Sequence, residues 1–257
     1  MYVSLLHLSL LFLAALAAGA INSVAGGGTL LTFPALLAAG IPSIAANATN
    51  TAALVPGSVS AYWGYRGEIG RSRGDLWMLT APSLLGGGLG ALLAIRVGNA
   101  LFDHLVPWLI LGATFLFLLQ DPVRKWLDRR RLDTRPRSLG AGGLFFQFFV
   151  AVYGGFFGAG IGILMLAALG FLGQTNIHRM NGLKNFAAIC INGAAAATFI
   201  LAGRVHLPLA AMMAVGAVLG GFGGAGLARR VGEANVRRVV VAVGLLFGIY
   251  SLWKQFV

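Results

Sequence analysis

Apolar runs near or above the length of a bilayer span follow one another from end to end of this 257-residue chain. No other feature constrains its backbone as tightly. Hydrocarbon offers no water to bond N–H and C=O groups, so a spanning backbone must satisfy them itself, as helices or as a closed barrel. Strand-sized alternation of apolar and polar residues is absent, which argues against a barrel. The expectation is an all-α polytopic membrane protein embedded in a lipid bilayer. Composition agrees, since 10% of residues are charged where a soluble domain has about 25%. The net charge of +12 does not point to nucleic acid. The basic residues sit in short clusters between apolar runs, where the positive-inside rule accounts for them.

Two of the runs are interrupted by glycine. The first break is Asn22-Ser-Val-Ala-Gly26-Gly27-Gly28-Thr29 and the second is Tyr153-Gly-Gly-Phe-Phe-Gly158-Ala-Gly160-Ile-Gly162. Glycine turns without a Cβ penalty. A broken helix inside a membrane is tolerated only where protein or a wet cavity supplies partners for the freed groups. Paired breaks at matching places of two halves point to a transporter's binding site.

The halves do match. An offset of 134 residues places Gly26 on Gly160, Gly28 on Gly162, Asn47 on Asn181, Gly86-Gly87 on Gly220-Gly221 and Arg96-Val97-Gly98 on Arg230-Val231-Gly232. The whole chain is then one transmembrane domain, with repeat one over about 5–119, a basic linker over 120–138 and repeat two over about 139–253. In repeat one, helices are expected over about Val3–Val24, Leu30–Gly40, Ala45–Trp63, Leu76–Ile95 and Leu101–Leu119. In repeat two they are expected over about Leu139–Phe156, Ile163–Leu172, Met180–Leu201, Pro208–Ala228 and Val239–Trp253. The segments after each break are too short for about 30 Å of hydrocarbon. They read as re-entrant limbs or as very short spans meeting near the midplane.

An odd number of crossings per repeat requires two inverted repeats. Charge tests this. With the linker at 121–137 in the cytoplasm, 15 of the Lys and Arg residues lie inside. Arg96, Arg204 and Lys254 lie outside, and Lys184 lies within a span. That split supports inversion, a multi-pass chain in the inner (plasma) membrane and both termini outside. The first twenty residues lack a basic n-region and recur in the second half, so they read as a mature span.

The breaks and the polar residues near them form the candidate site. A helix that starts after a glycine turn presents N–H groups and a positive dipole end to an anion. Gly26, Gly27, Gly28 and Thr29 open one such helix, and Gly158, Gly160 and Gly162 open the other. Asn22 and Tyr153 lie on the limbs that enter the breaks. Asn47, Asn50 and Thr51 begin one helix; Asn181, Lys184 and Asn185 begin its counterpart, with Lys184 aligned on Asn50. Residues four apart share a helix face, and amide or hydroxyl donors can replace an anion's hydration shell. A lysine inside a span marks a functional site by default; snorkelling to the interface is its alternative. The glycines at 86–90 and 220–224 read as helix-packing positions. Cys190 stands alone, His7, His104 and His206 lack ligand spacing, and phosphate-loop, zinc and nucleophile motifs are absent. No enzyme, cofactor or metal site is expected. The partner is a small anion, and a homodimer is one arrangement the sequence allows.

The stretch Gly19 to Pro34, followed by Ala46-Asn-Ala-Thr-Asn-Thr51 and Tyr65-Arg-Gly-Glu-Ile69, resembles the TauE/SafE family of sulfite exporters and related permeases. The resemblance covers nearly the whole chain. It implies transport of sulfite, thiosulfate, organosulfonates or similar anions. With the paired breaks, the expectation is a permease working by alternating access; the alternatives are an anion channel, or a transporter of a small carboxylate or other oxyanion. Repeat two departs from the simpler pattern: Ala168 stands where repeat one has Pro34, and Asn181-Gly-Leu-Lys184-Asn185 replaces a plainer helix start.

Overall fold

A computed structural model gives the fold and describes residues 4–24, 26–69, 73–119, 122, 141–171, 174, 176–231 and 233–256. The described residues form nine α-helices and no strand. In chain order they are α1 (Leu5–Val24), α2 (Thr29–Ala38), α3 (Ser43–Ile69), α4 (Arg73–Leu118), α5 (Ala141–Phe156), α6 (Ile161–Phe171), α7 (Ile177–Leu201), α8 (Leu207–Val231) and α9 (Glu233–Phe256). Apart from position 122, the basic linker lies outside the described residues. Among the described residues, four helices are long and apolar enough to cross a membrane by length and composition. Large apolar side chains such as Trp77, Trp108, Phe145 and Leu246 are exposed on the outer surface, as lipid rather than water requires.

Most expected helices appear within a few residues of their expected ends. The pair expected at 76–95 and 101–119 is present within α4 as two helices that meet at Gly98, where φ is 74° and ψ 163°. Straight, the 46 residues of α4 would reach about 69 Å, over twice the hydrocarbon thickness, so the break divides it into arms 73–97 and 99–118. Two differences matter. Helix α3 starts at Ser43, ahead of the expected 45. Helix α7 starts at Ile177, ahead of the expected 180, capped by the Asn176 side chain, which accepts from the N–H groups of His178 and Arg179. That start sets Lys184 two turns into the helix, away from its end.

Both glycine breaks form as expected. Gly26 has φ +89°, and Gly158 and Gly160 have φ +76° and +75°, a region closed to most side chains. The left-handed Gly26 and Gly160 are equivalents under the 134 offset. Helices α2 and α6 start immediately after, at Thr29 and Ile161, so Gly162 lies in the first turn of α6.

Packing exchanges between the halves. Helix α1 packs along α8, and its counterpart α5 packs along α4; α3 packs on α8 and α7 on α4; α3 and α7 pack on each other. Glycine permits this closeness. A Cβ on Gly87 would stand 2.4 Å from the carbonyl oxygen of Ile191, and a Cβ on Gly221 would stand 2.8 Å from that of Gly57. Gly57 and Ile191 are themselves 134 apart, so the same backbone-to-backbone contact occurs twice. Contacts of this kind let dispersion act over whole helix faces without bulky side chains between them.

Candidate functional site

The two breaks touch. A Cβ on Gly26 would lie 2.7 Å from the Cα of Gly162, and the Phe33 ring of α2 meets Phe157 of the second break edge-on at 5.2 Å. The chain ends that a break exposes are then bonded from neighbouring helices. The carbonyl of Phe156, last in α5, accepts from the Asn47 side chain of α3 at 3.0 Å. The carbonyl of Asn22, its equivalent near the end of α1, accepts from the Lys184 ammonium of α7 at 3.3 Å. Each break is thus tied down by a polar side chain from the opposite half, as unsatisfied carbonyls in an apolar interior demand.

Side chains also close each break on itself. The Asn22 carboxamide oxygen accepts from the N–H of Gly28 at 2.8 Å, spanning the first turn. The Tyr153 hydroxyl donates to the carbonyl of Ala159 at 2.6 Å, spanning the second. Asn50 is engaged at both ends: its oxygen accepts from the Thr32 hydroxyl and its amide donates to the Thr29 hydroxyl.

Where α1, α3, α6 and α7 converge, a cavity of about 30 Å³ remains, room for roughly two waters. Nine of the residues expected at the site line it: Asn22, Gly26, Thr29, Asn50, Thr51, Gly158, Gly162, Lys184 and Asn185. The other six do not. Gly27 lies against the Phe117 ring and Gly160 against Ala113 and Leu116, all on the second arm of α4. Gly28 backs onto Ala18. Asn47 and Tyr153 make the closing bonds described above. Asn181 is buried with its carboxamide oxygen unbonded, as is the equivalent oxygen of Asn47.

Sequence reasoning did not place Leu54, Ser58, Phe157, Ile161, Met165, Ala188 and Asn192 in this wall, and the structure does. The signal for four of them was available. Continuing the four-residue stripe from Asn50 gives Leu54 and Ser58; continuing it from Lys184 gives Ala188 and Asn192. The two stripes are equivalent position by position.

The donors left for a ligand are fewer than the sequence implies. The Thr51 hydroxyl donates to the carbonyl of Asn47 and the Ser58 hydroxyl to that of Leu54, each one turn back in its own helix. The Asn185 amide nitrogen is different. It is buried and has no hydrogen-bond partner, an expensive arrangement unless a ligand or water serves it. Lys184 is 2% exposed, so its ammonium is held inside and does not snorkel out to an interface. At the end where α4 and α7 begin, Arg179 pairs with Asp75 at 2.7 Å, and Gln174 lies 3.5 Å from the same carboxylate oxygen. Arg179 is therefore ion-paired within α7, one residue ahead of the start expected at Met180.

Helices crossing a membrane, two broken helices in contact and a buried polar cavity between them define a polytopic membrane transporter. The chain belongs to the TauE/SafE family of sulfite exporters, whose model matches residues 11–251. It is 32% identical over 255 residues to the probable membrane transporter protein YfcA of Escherichia coli, covering 98% of this chain and 92% of that one. It is 30% identical over 248 residues to a probable membrane transporter protein of Haemophilus influenzae, covering 96% and 95%. To the probable membrane transporter protein ORF9 of a Sinorhizobium species it is 28% identical, covering 95% and 92%. No solved structure matches the chain.

Proposed function

We propose that this transporter is a carrier for a small sulfur-containing anion, sulfite, thiosulfate or an organosulfonate, bound in the central cavity and passed across the inner membrane by alternating access. The observation that carries the reading is the unpartnered, buried Asn185 amide in a wall that also holds the Lys184 ammonium. A charge-assisted donor beside a neutral donor is what an oxyanion needs once it has shed its water. The dipoles at the starts of α2 and α6 have the same sign of effect. A cavity near 30 Å³ has no room for a hydrated anion, which favours a carrier over a standing pore.

The two halves are read as inverted, with the 121–137 linker in the cytoplasm and both termini outside. The exchange of packing partners between halves and the basic clusters of the sequence support this. Cysteines at Arg130 and Arg229 should both react with an impermeant reagent from the cytoplasmic side alone; external labelling of either would sink the inversion. For transport, proteoliposomes loaded with one anion should take up labelled sulfite or a labelled sulfonate by counterflow and saturate. Unitary currents without counterflow would make the protein a channel, and indifference to every sulfur anion in favour of carboxylates would move the substrate class.

A further inference from the structure

We infer that a second pocket, at the ends of α2 and α9, holds the headgroup of a zwitterionic aminophospholipid from the surrounding leaflet, its phosphate at Lys254 and its ammonium at Asp103. This pocket shares no lining residue with the central cavity and does not depend on the anion reading.

The pocket has a volume of about 580 Å³, within the range of about 300–1,000 Å³ that ligand sites occupy. Three helices make it. The last turn of α2 brings Leu37, the second arm of α4 brings Asp103 and Val106, and α9 brings Phe247, Tyr250 and Lys254. The helices are tied together at this point. Pro107 stands four residues after Asp103 inside α4 and has no N–H to offer the Asp103 carbonyl. The Gln255 side chain supplies a donor in its place, bonding the carbonyls of Asp103 at 2.9 Å and His104 at 3.3 Å. That bond holds the backbones that carry Asp103 and Lys254 at a set separation.

Depth and lining both suit a lipid. Helix α2 starts at the first break, and its 10 residues rise about 15 Å, half of the roughly 30 Å of hydrocarbon. A break near the midplane therefore puts the far end of α2 at headgroup depth. Tyr250 in the wall and Trp253 next to Lys254 are exposed, as aromatic side chains of an interface belt are. The lining divides as a phospholipid does: Leu37, Val106 and Phe247 are apolar, Asp103 and Lys254 charged. Both charged residues are exposed, and among the described residues they form no ion pair with each other. Each is open to the opposite charge of a ligand. One carboxylate and one ammonium match a headgroup that carries both signs. A headgroup of net negative charge would set its surplus against Asp103, and a choline has no N–H to donate to it.

Native mass spectrometry of the intact protein, purified and delipidated in detergent, tests this. The probes are phosphatidylethanolamine, phosphatidylcholine and phosphatidylglycerol with the same palmitoyl and oleoyl chains. Wild type should bind one phosphatidylethanolamine about twofold to fivefold more tightly than either of the others, the scale of one exposed charge pair. Asp103→Asn should remove that preference, and Lys254→Gln should weaken all three by a similar factor. Should either variant prove unstable, Ala38→Trp fills the pocket from an exposed position of its wall and should cut binding of phosphatidylethanolamine. Glycerophosphoethanolamine, the headgroup without chains, should not displace the lipid at millimolar concentration. Displacement would make the pocket a site for a free phosphate ester and overturn the inference. Equal binding of the three lipids in wild type, a preference that Asp103→Asn leaves unchanged, or a monodisperse Ala38→Trp protein that binds as wild type does also overturns it.

Discussion

Positions 50 and 184 occupy equivalent places on α3 and α7, yet they do different work. Asn50 is a brace: both ends of its carboxamide are bonded to threonines at the start of the first short helix. Lys184 reaches across the molecule to the carbonyl of Asn22; both residues line the cavity. The same contrast runs through the two breaks, one closed by an asparagine side chain and the other by a tyrosine hydroxyl. The frame, by comparison, is alike in both halves, with left-handed glycines at equivalent turns and backbone contacts at equivalent helix crossings. The close approaches in this frame leave no room for a side chain at Gly87 and Gly221, whereas the side chains at equivalent cavity positions differ between the halves.

The largest expected effect tests the shared frame. Gly87→Leu and Gly221→Leu both force a side chain against a helix backbone that cannot yield, Ile191 in one case and Gly57 in the other. Overpacking alone costs about 1–3 kcal/mol, and separating two helices forfeits much more. Both variants should fail to yield monodisperse protein on size exclusion. Survival of one but not the other would show that the halves are not equivalent in packing.

Next comes the contrast between the two matched positions. Lys184→Met should weaken anion binding by about 2–5 kcal/mol, the range for losing one partner of a desolvated charge pair, with folding retained. Lys184→Arg should rescue only partly, since the guanidinium is larger and planar. Asn50→Leu should do the reverse. It should lower thermal stability, by about 1–3 kcal/mol for a broken buried hydrogen-bond set, and affect affinity less. The comparison breaks if both variants move the same quantity by the same amount.

Much of this was legible beforehand, for a physical reason. Membrane insertion writes itself into long apolar runs, and a turn inside such a run needs glycine, so helices and breaks could be placed to within a few residues. Lys184 stood out because a cation in an apolar run is costly. Bonds made by side chains were harder to read. Tyr153 and Asn47 were expected to face the substrate, and they bind freed carbonyls instead. Sequence spacing puts them near a break but does not say whether a polar group will serve a ligand or the backbone. The apolar wall residues were missed because Phe157, Ile161 and Met165 look like any others in an apolar run. Arg179 falls just outside the helix expected from Met180, because α7 starts three residues earlier than apolar periodicity alone indicates.

A smaller effect separates closure of the second break from binding. Tyr153→Phe removes the donor to the Ala159 carbonyl and should cost about 1–3 kcal/mol of stability by leaving a partly buried acceptor unmade. Affinity for sulfite or methanesulfonate should change less than about threefold, because Tyr153 does not line the cavity. A larger loss of affinity than of stability would return Tyr153 to the site.

The smallest effect concerns a contact with no counterpart in the other half. Asp75 on α4 pairs with Arg179 on α7, tying the first half to the second at one end of the molecule. The equivalent positions, Leu209 and Ala45, are uncharged, so they form no matching pair. The two side chains are 16% and 29% exposed, and water and salt therefore screen them in part. Asp75→Asn should cost about 1 kcal/mol or less. Because the pair is screened, the difference in melting temperature between wild type and Asp75→Asn should shrink as salt rises through 0.1 to 1 M, where the Debye length falls from about 10 Å to 3 Å. Installing charge at the other end, with Ala45→Arg and Leu209→Asp together, should not stabilise the protein. Leu209 is buried in the apolar cluster, and a carboxylate there would be desolvated before it found its partner. A stabilised double variant would mean that the two positions are interchangeable, and that the Asp75–Arg179 pair has no bearing on how the halves differ.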